Sequence, residues 1–144
     1  MPMTFKNYDP SRVVVTFRGI LLQGFADGAF VSTERSEDAF SASAGAAGDV
    51  TRVRSRNRMG SVTVTLMAAS PSNDSLSAVA AQDEAFGTGY GPLMIKDLNG
   101  TTLIQASTAW IKKVPSVEFG KDASSYEWVF ECADMIKHVG GATF

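Results

Sequence analysis

Cysteine and histidine are nearly absent from this chain of 144 residues: Cys132 is the only cysteine and His138 the only histidine. A single cysteine excludes an internal disulfide. The pair also falls short of the Cys/His set that an ordinary structural zinc site requires. No apolar run approaches the roughly 18 residues needed to cross a bilayer. Met1–Pro10 is polar and lacks an apolar signal core, so the chain is expected to be made and kept in a cytoplasm, or released by lysis. Neither charge sign is in excess. The formal net charge of −2 excludes a chain that binds nucleic acid through overall basicity.

Catalytic motifs are missing as well. There is no phosphate loop, Rossmann glycine pattern, GxSxG elbow or HExxH. Gly87-Thr88-Gly89-Tyr90-Gly91 is rich in glycine, but it follows a helix-like run and precedes a strand-like one. A phosphate cradle needs the opposite order, so the segment reads as a turn. Cys132 falls on the apolar face of an aromatic strand and reads as a core thiol rather than a nucleophile. His138 reads as a surface or interface histidine. Trp110, Tyr126, Trp128 and Phe130 read as core rather than as a stacking platform. The expectation is no catalytic residue, no cofactor and no metal.

What is present is alternation. With 44% hydrophobic and 19% charged residues, the composition suits one globular domain spanning residues 1–144. Val13, Val15 and Phe17 share one face of a strand, and residues 29–35 read as a second strand. Val62, Val64, Leu66 and Ala68 alternate with Ser61, Thr63, Thr65 and Met67. The period then changes. Ser70-Pro71-Ser72-Asn73-Asp74 is rich in N-cap residues, Pro71 suits a first helical position, and Leu76, Val79, Ala80 and Phe86 fall on one face. A short helix is expected at about 72–85, stopped by Gly87. Asn99-Gly100 between two strand-like runs signals a hairpin with positive φ at both turn residues, pairing Ile95 with Ile104 and Leu93 with Ala106. Val117–Phe119 is expected to pair with Tyr126–Ala133, and Met135–Val139 to add a last segment, with Gly140–Phe144 as a tail. Roughly seven strands and one helix at this density predict a mainly β fold, a barrel or two-sheet sandwich with one short flanking α-helix and a long extended loop.

That loop spans about residues 34–58. Its centre, Ser41–Asp49, is almost entirely Ser, Ala and Gly, which cannot bury enough surface to fix a conformation, so it reads as a mobile loop. Arg52, Arg54, Arg56 and Arg58 recur at every second residue, which on a strand places four like charges on one face. Glu34, Glu37, Asp38 and Asp49 are the nearest carboxylates. If residues 30–40 fold back on 50–60, one register sets Glu34 beside Arg56 and Asp38 beside Arg52. Such pairs contribute only about 0.2–1 kcal/mol each. Three readings stay open: a solvated face balanced by local acids, a contact between copies that specifies orientation, and phosphate binding. At the level of function, a self-assembling structural protein competes with a small monomeric ligand-binding β-barrel whose pocket is lined by the aromatics of residues 110–130. An enzyme is disfavoured by the poor acid/base inventory.

The order of these features resembles the tail tube proteins of contractile-tailed bacteriophages over nearly the whole chain. Gly60-Ser61-Val62-Thr63-Val64-Thr65-Leu66-Met67 running into Ser70-Pro71-Ser72-Asn73-Asp74 carries most of the resemblance. Tyr8-Asp9-Pro10 before a Val-rich strand and Asp97-Leu98-Asn99-Gly100 add to it. The resemblance implies the fold shared with type VI secretion tube proteins and hexameric rings stacked head to tail. It also implies a surrounding contractile sheath, double-stranded DNA passing through the lumen, and a place in the virion after assembly in the host cytoplasm, with no membrane partner. It further implies that the arm at about 34–58 reaches an adjacent subunit or ring. Because DNA must slide, acidic or neutral side chains are expected to face the channel. Glu34, Glu37, Asp38, Asp49 and Arg52–Arg58 are expected at interfaces between subunits.

Overall fold

The period-two runs are strands. The computed structural model describes residues 5 and 7–141. Its strands are Val13–Phe17 (β1), Ile20–Leu21 (β2), Val31–Arg35 (β3), Phe40–Ala44 (β4), Val50–Arg54 (β5), Gly60–Met67 (β6), Gly91–Asp97 (β7), Leu103–Lys113 (β8), Ser125–Cys132 (β9) and Met135–His138 (β10). One α-helix, Ser72–Phe86 (α1), joins β6 to β7. Among the described residues, eight strands form one antiparallel sheet in the order β2-β1-β7-β8-β9-β6-β3, with β10 also on β8, while β4 and β5 form a separate hairpin. The strands outnumber the seven expected, chiefly because the small-residue loop is itself partly strand. Of the tail assigned to Gly140–Phe144, residues 142–144 lie outside the described residues.

The sheet curls over its own apolar face. Val15 and Phe17 of β1, Val62, Val64 and Leu66 of β6, Leu93 and Ile95 of β7, and Trp128 and Phe130 of β9 all turn into one core. Phe17 and Phe130 meet at 5.0 Å between ring centroids although β7 and β8 separate their strands in the sheet. Contact between such distant strands requires the sheet to bend. Residues 22–26 then cross between the two halves. Leu22 donates its N–H to the Val15 carbonyl at 2.9 Å, Met67 donates to the Gly24 carbonyl at 2.8 Å, and Ala26 donates to the Thr65 carbonyl at 3.0 Å. The result is sandwich-like and stops short of a closed barrel. α1 packs Leu76, Val79 and Ala80 against this core.

Several local expectations are corrected. Pro71 occupies the N-cap rather than the first helical turn, and no side chain caps that end. Gly87 stops the helix as expected, with φ 69 and its N–H on the Asp83 carbonyl. Phe86 is 78% exposed, because the stripe ends one turn earlier. Val117–Phe119 is not a strand: β9 pairs with β6 and β8 instead. There its inward residues meet Val62, Val64 and Leu66, apolar partners that Val117-Glu118-Phe119 cannot match. Met135–His138 does continue the last strand, since β9 and β10 run along β8 in one register, Cys132 facing Ala109 and Met135 facing Ala106.

The β7–β8 hairpin has the expected register, Ile95 opposite Ile104 and Leu93 opposite Ala106. The reason differs, because neither Asn99 nor Gly100 takes positive φ. Asn99 is buried, 2% exposed. Its Nδ2 donates to the Asp9 carbonyl at 2.8 Å and its Oδ1 accepts the Asp9 N–H at 3.2 Å. The asparagine is a clasp for the N-terminal segment. Asn99→Ala leaves the Asp9 N–H without its partner and the Asp9 carbonyl with only the Arg12 N–H, and is expected to cost about 1–3 kcal/mol. Urea denaturation checks this as a lower midpoint with an unchanged slope.

Candidate assembly surfaces

The arm is a hairpin, not a mobile loop. β4 and β5 pair Phe40 with Arg54, Ala42 with Arg52 and Ala44 with Val50. The turn closes through Gly45 N–H to the Asp49 carbonyl at 2.7 Å and Gly48 N–H to the Gly45 carbonyl at 3.0 Å, with Gly48 at φ 89. That positive φ is a conformation glycine adopts without strain. The base is zipped by Ser55 N–H to the Ala39 carbonyl, Ser55 Oγ to Glu37 Oε2 at 3.0 Å, and Ser36 N–H to the Met59 carbonyl. Small residues do not prevent this order, because the backbone supplies the bonds and the side chains need not pack.

Every residue of β4 and β5 is exposed, including Phe40, Val53 and Val50, the last at 70%. The proposed register of acids against arginines does not occur. Glu34 lies opposite Ser61 in the main sheet. Arg52 and Arg54 face Ala42 and Phe40, and the Arg52 guanidinium lies 3.5 Å over the Phe40 ring. The chain does fold back on itself, but in a register four residues away from the expected one, so Arg52 meets Ala42 instead of Asp38 and residues 31–35 lie along β6. Glu37 binds Ser55, and Asp38 and Asp49 are exposed on the arm. Arg56 and Arg58 follow the end of β5 and still point outward, alternating with half-buried Ser55, Asn57 and Met59.

Two cations that sequence spacing could not reveal join the arginines. Arg35 and Lys137 line, with Arg54 and Arg58, a crevice of about 290 Å³ at the arm base. Arg35 donates to the Met135 carbonyl at 2.7 Å, while its Nε is buried without a partner. Like charges gathered this way repel one another unless counter-charges stand nearby.

The larger groove, about 590 Å³, runs between Ser70–Ser77 at the start of α1 and the segment Val114–Phe119, over Tyr126 and Trp128. Trp128 donates Nε1–H to Asn73 Oδ1 at 2.9 Å and is otherwise core. Cys132 is core as well: burial, and to a lesser degree the nearby Glu131 charge, push its thiol up to about 11. Among the described residues no group of three or more His, Cys, Asp or Glu is placed to hold a metal ion. No described helix is long and apolar enough to cross a membrane.

The fold is that of contractile-injection components. It matches a chain from the PVC sheath/tube terminator of an extracellular contractile injection system in the extended state, with TM-score 0.67 and 14% identity, covering 95% of this chain and 100% of the other. A chain from the PVC sheath-tube complex, also extended, matches with TM-score 0.65 and 15% identity over 92% of this chain and 91% of that one. The sequence carries the assignment further. Residues 11–140 match the family described as the bacteriophage PhiTE tail tube protein, and the chain belongs to that family. It is also similar to structural protein ORF10 of Pseudomonas phage KPP10, 32% identical over 142 residues that cover 93% of this chain and 82% of the relative. A phage tail tube protein is a structural component of the virion, as the resemblance implied.

Proposed function

We propose that the chain assembles into hexameric rings that stack head to tail inside a sheath, enclosing a channel through which double-stranded DNA leaves the particle. The arm carries this reading. A two-stranded hairpin with no buried residue is marginal by itself. Its apolar Phe40, Val50 and Val53 would gain burial only against another molecule. In this reading Arg52, Arg54, Arg56 and Arg58, with Glu37, Asp38 and Asp49, form the contact between copies. Its role is structural rather than enzymatic. The competing monomeric ligand-binding reading is left with the surface groove over Tyr126 and Trp128, since Phe17, Trp128 and Phe130 fill the core.

Purified chain imaged by negative stain tests assembly: rings or tubes are expected, and strict monomers at high concentration would overturn the reading. The channel imposes a second test. Each neutralised phosphate adds counterion release, so a wall of unpaired arginines would grip DNA. Assembled tubes are expected to retain no duplex DNA at low salt. Tight retention lost on adding salt would place the arginines bare in the lumen.

A further inference from the structure

We infer that the Arg52 face of the arm docks in the crevice between Met94, Ile136 and Asp134 of a second copy, with the Arg52 guanidinium paired to the Asp134 carboxylate. This docking rests on the assembly reading above and adds the surface on which the arm lands. It follows from two incomplete groups, one on each side of the contact.

The first is Asp134, at the corner between β9 and β10. Its Oδ1 is buried with no hydrogen-bond partner. A carboxylate oxygen withdrawn from water without a donor is destabilising, and a cation brought from outside offsets that. Asp134 lines a crevice of about 420 Å³ against β7, β8 and β10. Met94, Gln105 and Ile136 stand opposite one another there across the three strands. Met94 and Ile136 are exposed, and among the described residues no lysine or arginine lines the crevice. The larger groove at the start of α1 is complete by comparison. Trp128 Nε1–H is already on Asn73. The carboxylate that lines it, Asp74, is exposed in the first helical turn, where water and the helix end both favour its charge.

The second is Arg52, on the arm. Pairing sorts the arm's side chains onto two faces. Phe40, Ala42 and Ala44 share one with Arg54, Arg52 and Val50, while Ser41 and Ser43 share the other with Val53 and Thr51. The first face is apolar with two cations, the complement of an apolar crevice holding a carboxylate. The Arg52 guanidinium lies 3.5 Å over the Phe40 ring, and among the described residues no carboxylate pairs with it. Stacking on the ring reduces the rotamer freedom that a long side chain loses on docking. The edge of the planar fork is left for a carboxylate. Arg54 lines the crevice at the arm's own base, so Arg52, nearer the turn, is the one placed to reach across. Within one chain Arg52 and Asp134 do not pair, so the pair forms between copies.

Cross-linking between chains that carry one added cysteine each tests the docking. Cys132 is 1% exposed, so the native thiol stays silent toward a bismaleimide spacer. Tubes are assembled from a mixture of Ala42→Cys chains and Met94→Cys chains, and a cross-linked heterodimer of the two is expected. Ala42→Cys mixed with Val117→Cys, on the larger groove, is expected to give none. Cross-linking to Val117→Cys in place of Met94→Cys, or to neither in intact tubes, would overturn the docking while the assembly reading stands. If the native chain forms no tubes, both fall. The charge pair has its own readout. Arg52→Glu and Asp134→Arg are each expected to raise the concentration needed for tubes about tenfold or more, and the double variant to recover much of that loss. Asp134→Asn, which removes the charge with little change of shape, is expected to weaken assembly in the same direction. A double variant as defective as the single ones, or assembly indifferent to Asp134→Asn, would contradict the pairing.

Discussion

Replacing Phe40–Arg54 by a short glycine turn is expected to abolish tubes while leaving the subunit folded. The deleted strands bury nothing in the subunit, pair only with each other, and connect to the main sheet through Ser36–Ala39 and Ser55–Met59. Loop shortening changes closure entropy only modestly. Far-ultraviolet circular dichroism and thermal midpoint should therefore stay close to those of the intact chain. Assembly should suffer heavily, with the concentration needed for tubes rising more than tenfold, because apolar and charged contacts are lost at every junction at once. A milder form, Val53→Asp, introduces a carboxylate where burial is proposed and should weaken tubes in the same direction. Tubes of normal length from the deletion chain would show that the arm is an ornament of the subunit rather than its fastening.

Phe130→Ala should do the reverse and fail at folding. Phe130 is fully buried, opposes Val62 and Ile111 on its two neighbouring strands, and meets the Phe17 ring at a 60° tilt across the curled sheet. Removing a buried aromatic ring costs about 3–5 kcal/mol, a large part of the roughly 5–15 kcal/mol that holds an ordinary domain together. Chemical denaturation of the unassembled protein is the measurement. Loss of cooperativity or a midpoint lowered by such an amount is expected, and a change below about 1 kcal/mol would mean the two halves of the sheet do not depend on this contact. Together the two variants separate surfaces that hold copies from residues that hold the subunit.

How much of this was legible in the sequence follows from where the physics is local. Val62-Thr63-Val64-Thr65-Leu66 announced its own faces, because alternation is a property of a single strand. The β7–β8 register followed from the spacing around Asn99-Gly100, although the turn itself uses Asn99 as a buried clasp on Asp9, a partner ninety residues away. Val117–Phe119 was misread since pairing is decided by the competitor, and β6 offers β9 a better apolar face. The arm was misread for a related reason. Small side chains cannot pack, yet a backbone ladder with Gly48 at its turn gives Ser41–Ala44 a strand without packing. The arginine stripe was visible, but the gathering of Arg35 and Lys137 beside Arg54 and Arg58 depends on β10 returning along β8. Likewise the carboxylates Glu34, Glu127 and Glu131 are scattered in the chain and share a surface only through the order β3–β6–β9. Family resemblance supplied the tube.

The sharpest measurement is a cryo-electron microscopy reconstruction of assembled tubes fine enough to trace strands. The account predicts stacked hexameric rings around an open lumen, with each β4–β5 arm lying on a different copy. Copies that meet without the hairpin, each arm laid back on its own body, would contradict it.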